Sequence, residues 1–341
     1  MILFCCSRNN YGMLEKWITN NKIPKNIKVL NFDVGSDKKN IQIGQTICKI
    51  HNIKFIISNN PAIQACLEQA VNYAEERLKE WVVYFQHDVY PLTSNFYTKL
   101  SIRLKNIGYN SNLGFVGVNV YHDKEDINQF DGSKKWMTSA RSFLQIGDGW
   151  YRRRKICRVN YNKFLYEDFL AESIMWVLAA CHVKTFRKII RVDNNYDFLL
   201  GFDDLLYQVL LNDCYNLVLS NLDLAHDQSL KEGSGIQKKS TIASLDQIKK
   251  NYGRIDRFEV WKRKFGFSFN LEKKFSNYIS LLLYKIMRKI LIIFKPKYYS
   301  GLNTILRDEY KTNTNVKKSK LTDQFFNHDP ANGPIKYFKD L

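Results

Sequence analysis

The run WVVYFQHDVY, residues 81–90, is β-branched and aromatic before it gives way to Gln86, His87 and Asp88 and turns at Tyr90-Pro91. A strand aimed at a core has no use for a charged tip. Asp88 is either a solvated strand end or a carboxylate that holds a ligand. Strand alternation places His87 on the opposite face from Asp88. Two other strand-like runs end in the same manner. NIKVLNFD stops at Asp33 before a glycine–serine turn, and MILFCC is followed by Ser7-Arg8. Arg8 is placed either to meet a phosphate or to cap its turn.

These tips share chemistry only if the strands lie side by side. Strand-like MILFCC, NIKVLNFD, IKFIISNN, WVVYFQHDV and LGFVGVNVY are separated by IQIGQTICKIHN, PAIQACLEQAVNYAEERLKE and SNFYTKLSIRLKNI, which read as helices. The second of these opens with proline and sets Ile63, Cys66, Leu67, Ala70 and Tyr73 at helical spacing. Such alternation implies an α/β fold with a mainly parallel sheet flanked by helices. Ligands bind such sheets beyond the carboxyl ends of the strands, where Asp33, Asp88 and Ser7-Arg8 all fall. From Tyr121 to about Phe169 the pattern is lost in loops that include the basic run YRRRK. Regular structure then resumes. ESIMWVLAACHVKTFRKI reads as a strand and a short helix. DFLLGFDDLLYQVLLNDCYN reads as a helix striped by Leu205, Leu206, Val209 and Leu210. LVLSNLDLAHDQS reads as a late strand ending in a polar turn.

The chain has 341 residues, 45% hydrophobic and 14% aromatic, enough for a real core and against wholesale disorder. A formal charge of +19 implies an anionic partner. The seven cysteines show no paired-ligand spacing, which argues against a zinc site or a disulfide framework and for a reduced, intracellular setting. The apolar start is too short for a signal peptide and reads as a first strand. No stretch reaches the roughly 20 apolar residues of a spanning helix.

Over residues 1–230 the chain resembles the nucleotide-sugar glycosyltransferases of the GT-A fold, in particular the broad inverting family 2. The resemblance rests on DVGS after the second strand, Gln86-His87-Asp88 after the fourth, GFDD at a helix start and LAHDQS after a late strand. It departs from the family where Val34 stands in an acidic position and where the first Asp of the Asp-x-Asp triplet is Gln86. It implies a GT-A domain over 1–240, with a nucleotide-sugar half at 1–120 and an acceptor and catalytic half at 121–240. Donor contacts would come from Ser7, Arg8, Asp33, His87 and Asp88. A divalent cation, Mn²⁺ or Mg²⁺, would be held by Asp88 and His226. Asp204, or Asp203 beside it, would be the base, and Glu172, Trp176 and Arg153 would meet the acceptor, in a region that also contains His182. Hard cations that bridge a diphosphate often take only one or two protein carboxylates, so so lean a ligand set is chemically sufficient. The helix dipole would keep Asp204 acidic unless burial offsets it.

The composition then shifts toward Lys, Arg, Phe and Tyr. Residues 250–310 are expected to form a basic helical extension and 311–341 a polar tail. In NYISLLLYKIMRKILIIFKPK, residues 277–297, Ile279, Leu282, Leu283, Ile286, Ile290 and Ile293 line one helical face, with Lys285, Arg288, Lys289 and Lys295 on the opposite half. Such a helix suits the surface of an anionic membrane. The expected partners are therefore a nucleotide-diphosphate sugar, a lipid-linked saccharide acceptor and an anionic membrane, in the assembly of a bacterial polysaccharide at the cytoplasmic face. The rival is a non-catalytic basic protein that binds membrane or nucleic acid. Nucleic acid is not expected, because no recognised binding motif is present.

Overall fold

Strands rich in Ile, Val, Leu and Phe without alternation must be covered on both faces. In the computed structural model they are. The structure describes residues 1–21, 23–60, 62–121, 140–141, 167–196, 201–226, 257–267, 282–283, 286, 310, 312–328 and 334–341. The chain enters as β1 (Ile2–Ser7), α1 (Tyr11–Asn20), β2 (Lys28–Asp33), α2 (Lys38–Ile50) and β3 (Lys54–Ile57). It continues through α3 (Ile63–Glu75), β4 (Trp81–Phe85), β5 (Val89–Pro91), α4 (Phe96–Ile107) and β6 (Leu113–Tyr121). β1 pairs in parallel with β2 and β4, and β2 with β3. Along β1 and β4 the side chains divide between two cores. Leu3, Cys5, Val83 and Phe85 pack with α1, α2 and α4, whereas Ile2, Phe4, Val82 and Tyr84 pack with α3. Each fully buried side chain of this size contributes about 1.5–3 kcal/mol of transfer free energy.

α1 follows the Ser7-Arg8 turn, in a stretch the sequence assigns to no element. Tyr11, Leu14 and Trp17 fall three residues apart and, with Met13, make its buried face. Gly12 and the flanking asparagines mask that stripe in the sequence.

The second half departs from simple strand–helix alternation. After β7 (Ala140–Arg141), β8 (Phe169–Ala171) and β9 (Ser173–Ile174), β10 (Leu178–His182) enters antiparallel between β4 and β6. The chain leaves β6 at the carboxyl end of the sheet and comes back opposite Phe85, at that same end, so β10 must run backwards. There follow α5 (Val183–Ile189), α6 (Gly201–Leu211), β11 (Tyr215–His226), α7 (Arg257–Phe265), α8 (Lys320–Asn327) and β12 (Lys336–Tyr337). Among the described residues the large sheet has the order β12-β8-β11-β6-β10-β4-β1-β2-β3, with β5 added to β11. β11 lies parallel to β6, so the central strands are mostly parallel and β10 is the exception among them.

Of residues 311–341, expected as a polar tail, 312–328 and 334–341 are described and include α8 and β12. Leu321, Phe325 and Phe326 of α8 are buried with Tyr310 and Val316 in the core that contains α6, and β12 extends the sheet beside β8. A segment poor in apolar residues can dock when those few face one way, and α8 is further closed by a Ser319–Thr322 capping box. The expected domain end at 240, Arg153 and YRRRK lie outside the described residues. So does most of 277–297. Of that stretch Leu282, Leu283 and Ile286 are described, at 44%, 57% and 45% exposed. Among the described residues no helix is long and apolar enough to cross a membrane.

Candidate active site

β4 ends at Phe85, and the chain turns through Gln86, His87 and Asp88 into β5. β5 pairs with the end of β11, setting Val89 opposite His226. A register shift between Leu219 and Asp223 separates the two halves of β11, and such irregularities bend a strand. The tips of two distant strands thereby meet, with His226 Nε2 3.2 Å from Asp88 Oδ2. Burial pushes the Asp88 carboxyl up, but the hydrogen bond from His226 and the fields of His226 and His87 outweigh it, so the group sits below its ordinary value. Asp88 Oδ1 is buried and has no hydrogen-bond partner among the described residues.

That orphan oxygen is the test of whether a cation fits. An unmet buried acceptor costs about 1–3 kcal/mol, and a divalent ion would meet it. Among the described residues no group of three or more His, Cys, Asp or Glu is arranged to hold a metal. The protein's share would be Asp88 and His226, with phosphate and water completing the shell.

Beside this pair opens a cavity of about 550 Å³ between α1, β5 and the start of α4, lined by Lys16, Trp17, Asn20, His87, Asp88 and Asn95 with apolar neighbours. Alternation predicts that His87 and Asp88 point apart. Both line this cavity, because the strand has already ended and residues 87–88 form a turn. Burial lowers the His87 pKa against the pull of Asp88.

Asp33 is fully buried. The Tyr11 hydroxyl donates to its Oδ2, and the backbone N–H groups of Gly35 and Ser36 donate to Oδ1 at 3.2 and 3.1 Å. The carboxylate therefore closes the DVGS turn onto α1. Burial, and then Asp33, raise the Tyr11 phenol well above its ordinary value, which keeps it a donor. Ser7 is equally buried, and its hydroxyl donates to Asn31 Oδ1 at 2.6 Å. Tyr11→Phe, which leaves a buried carboxylate oxygen without its donor, is expected to cost about 1–3 kcal/mol. Denaturant melts against the wild type measure this, and an unchanged midpoint would remove the clasp.

α6 begins at Gly201, where an added Cβ would strike the Gln64 side chain of α3. The Phe202 ring packs against Tyr84 at 6.2 Å and Phe115 at 5.2 Å. Asp203 and Asp204 are buried in the first turn, at the end of the sheet that carries Asp88. Asp204 Oδ2 accepts from Gln208 Nε2 at 2.9 Å and from Lys264 Nζ at 2.8 Å, while Oδ1 is buried without a partner among the described residues. Burial drives the Asp204 pKa to about 6, against the lowering effects of Lys264 and Gln208. Desolvation wins over the helix dipole here. Lys264, from α7, carries no motif that marks it in the sequence.

The acceptor-side residues scatter. Glu172 is buried between β8 and β9, with its charge felt by Tyr207 and Tyr310. Trp176 is half-buried against the same core and precedes Val177, whose carbonyl accepts from the Gln86 N–H at 2.9 Å, so it lies at the carboxyl end. His182 lies at the opposite end, paired with Trp81, and its Nδ1 accepts from the Lys184 N–H at 3.1 Å. The reversed direction of β10 puts it there. Arg8 is half-buried beside the Ser7 tip. Asp33, Asp88 and Asp204 thus share one end of the sheet in three separate settings: a closed turn, a cavity edge and a buried ion pair.

Fold and site together define an α/β protein whose polar groups gather at the carboxyl ends of a mostly parallel sheet. No protein-family model matches the chain, and no curated protein matches it. Solved structures similar to it include GalNAc-T7 with UDP, GalNAc and Mn²⁺, at 10% identity and a TM-score of 0.47 over 66% of this chain and 43% of that one. Another is the mannosyltransferase PcManGT from Pyrobaculum calidifontis with GDP-Man and Mn²⁺, at 12% identity and a TM-score of 0.41 over 66% and 55%. A third is S. aureus TarS 1–349 with UDP-GlcNAc, at 12% identity and a TM-score of 0.40 over 67% and 58%. The chain thus spans about half the length of these structures.

Proposed function

We propose that this protein transfers a sugar from a nucleoside-diphosphate donor to a hydroxyl of a saccharide acceptor. The observation that carries the reading is the Asp88–His226 pair, with a buried carboxylate oxygen that has no partner among the described residues, at the carboxyl end of a sheet where α/β proteins bind ligands. A divalent cation held there would offset the charge that develops on the departing diphosphate. Asp204 is the base: its Oδ1 accepts the proton of the acceptor hydroxyl. The acceptor oxygen forms its bond to the anomeric carbon as the bond to the diphosphate oxygen breaks, and the diphosphate leaves with the electron pair. Attack opposite the leaving group inverts the anomeric centre. Asp203 stands beside it in the same turn. Asp33 shapes the DVGS turn, and Arg8 and His87 line the donor side.

The acceptor is a lipid-linked saccharide of a bacterial polysaccharide, met at the cytoplasmic face of the membrane. The chain's charge of +19 and the exposed Leu282, Leu283 and Ile286 support this part of the reading. Each basic residue near an anionic surface adds about 1 kcal/mol of attraction.

Calorimetry with UDP- and GDP-sugars, with and without Mn²⁺, is the direct test. The expected result is binding that strengthens at least about tenfold with the ion, followed by nucleoside diphosphate release when acceptor is added. No nucleotide-sugar affinity, together with nucleic-acid binding that weakens steeply with salt, would replace this reading with the basic-protein alternative.

A further inference from the structure

The C-terminal segment does more than cover α6. We propose that Lys264 is a positioning residue for the base: its ammonium occupies one oxygen of the Asp204 carboxylate and leaves Oδ1 as the atom that faces the acceptor hydroxyl. This rests on Asp204 being the base.

α7 is locked onto the helix that carries that base. Tyr207, one turn beyond Asp204, is gripped by Trp261, Phe265 and Phe267 at ring distances of 5.4, 4.8 and 5.5 Å. Lys264 sits inside this grip. The turn after α7 is fixed as well. Gly266 has φ +85°, and an added Cβ would strike the Asn315 backbone. Asn313 Nδ2 donates to the Gly266 carbonyl at 2.9 Å, the Lys317 N–H to the Phe265 carbonyl at 3.0 Å, and the Tyr207 hydroxyl to the Lys317 carbonyl at 3.0 Å. A flexible side chain is thereby delivered by a rigid frame, which reduces the entropy lost in holding it.

The charges around Asp204 show why a cation is needed there. From the turn after α5 come Asp193, whose Oδ2 is 3.7 Å from Lys264 Nζ, and Tyr196, whose ring lies 5.9 Å from it. From α6 come Asp203 and the neutral Gln208. Without Lys264, Asp204 would sit buried in the field of the like charge on Asp193, with the Gln208 amide as its donor among the described residues. Burial and like charge both favour the protonated acid, which cannot take a proton. Lys264 and Gln208 together hold Oδ2, so the rotamer is set as well as the charge.

The test compares Lys264→Met and Lys264→Arg in the full chain. In Lys264→Met the acidic limb of kcat against pH should move up by about one unit or more, and kcat at pH 7 should fall about twofold or more, with the donor KM unchanged. Lys264→Arg should restore the limb. An unmoved limb in folded Lys264→Met overturns the proposal and leaves Asp204 as base intact. Should Lys264→Met melt early, Lys264→Gln keeps a donor without the charge and reads the same limb. If the wild type transfers no sugar at all, the functional reading fails instead. Carboxyl ¹³C NMR of Asp204 still decides the electrostatic coupling, because its titration must move up in Lys264→Met.

Discussion

Asp88→Asn should lose cation-dependent turnover of the sugar donor by about three orders of magnitude, roughly 4 kcal/mol of barrier. The substitution keeps the size of the side chain and a hydrogen-bonding group beside His226, so the local fold survives. It removes the negative charge and exchanges one carboxylate oxygen for an NH₂, which a divalent ion cannot use as a ligand. Because Oδ1 is buried and unpartnered among the described residues, the loss should appear in metal affinity before it appears in stability. Nucleoside diphosphate release measured across a Mn²⁺ titration separates the two. A variant that keeps the wild-type rate and Mn²⁺ midpoint would take Asp88 out of the site, and with it the reason for placing the donor there.

Asp204→Asn should be more stable and nearly inactive. A general base contributes about 10²–10⁴ in rate, and the amide cannot replace it. The stability change has the opposite sign. Burial raises the folded-state pKa of Asp204 to about 6, above that of the unfolded chain. Folding is therefore favoured by the neutral acid below about pH 4, and that contribution is lost as pH rises through 6. At neutral pH and above, the buried charge costs about 3 kcal/mol. Asn avoids this cost, less what is lost in leaving Lys264 without its ion pair. That loss is limited, since the Lys264 side chain keeps 23% of its surface in water. Thermal melts should show the gain of the variant growing from pH 5 to pH 8. Lower stability at both values would mean that Lys264 and Gln208 stabilise the carboxylate more than burial penalises it.

The elements that bury most were the easiest to read. β1, β2, β4 and β6 are runs of apolar residues bounded by polar turns, and α3 repeats its apolar residues at helical spacing. Asp88 was legible because a charge at the tip of a buried strand has to be explained. α1 was harder to see, since its stripe of Tyr11, Leu14 and Trp17 is broken by Gly12. Asp33 and Ser7 occupy the expected tips, yet the Tyr11 hydroxyl and Asn31 engage their side chains, and no local pattern announces bonds across 22 and 24 residues. His182 looked like part of the acceptor region only while β10 was free to run in either direction.

What the sequence determined by itself is the α/β class, the strands β1, β2, β3, β4 and β6 and the helix start that carries Asp203 and Asp204, because these follow from short-range periodicity and from the cost of burying charge. Tertiary structure alone decided the antiparallel β10, the meeting of Asp88 with His226, the closing of Asp33 by Tyr11 and the arrival of Lys264 on Asp204. Each of these joins segments far apart in the chain. Such pairings are set by which surfaces can be covered together, and composition leaves that choice open.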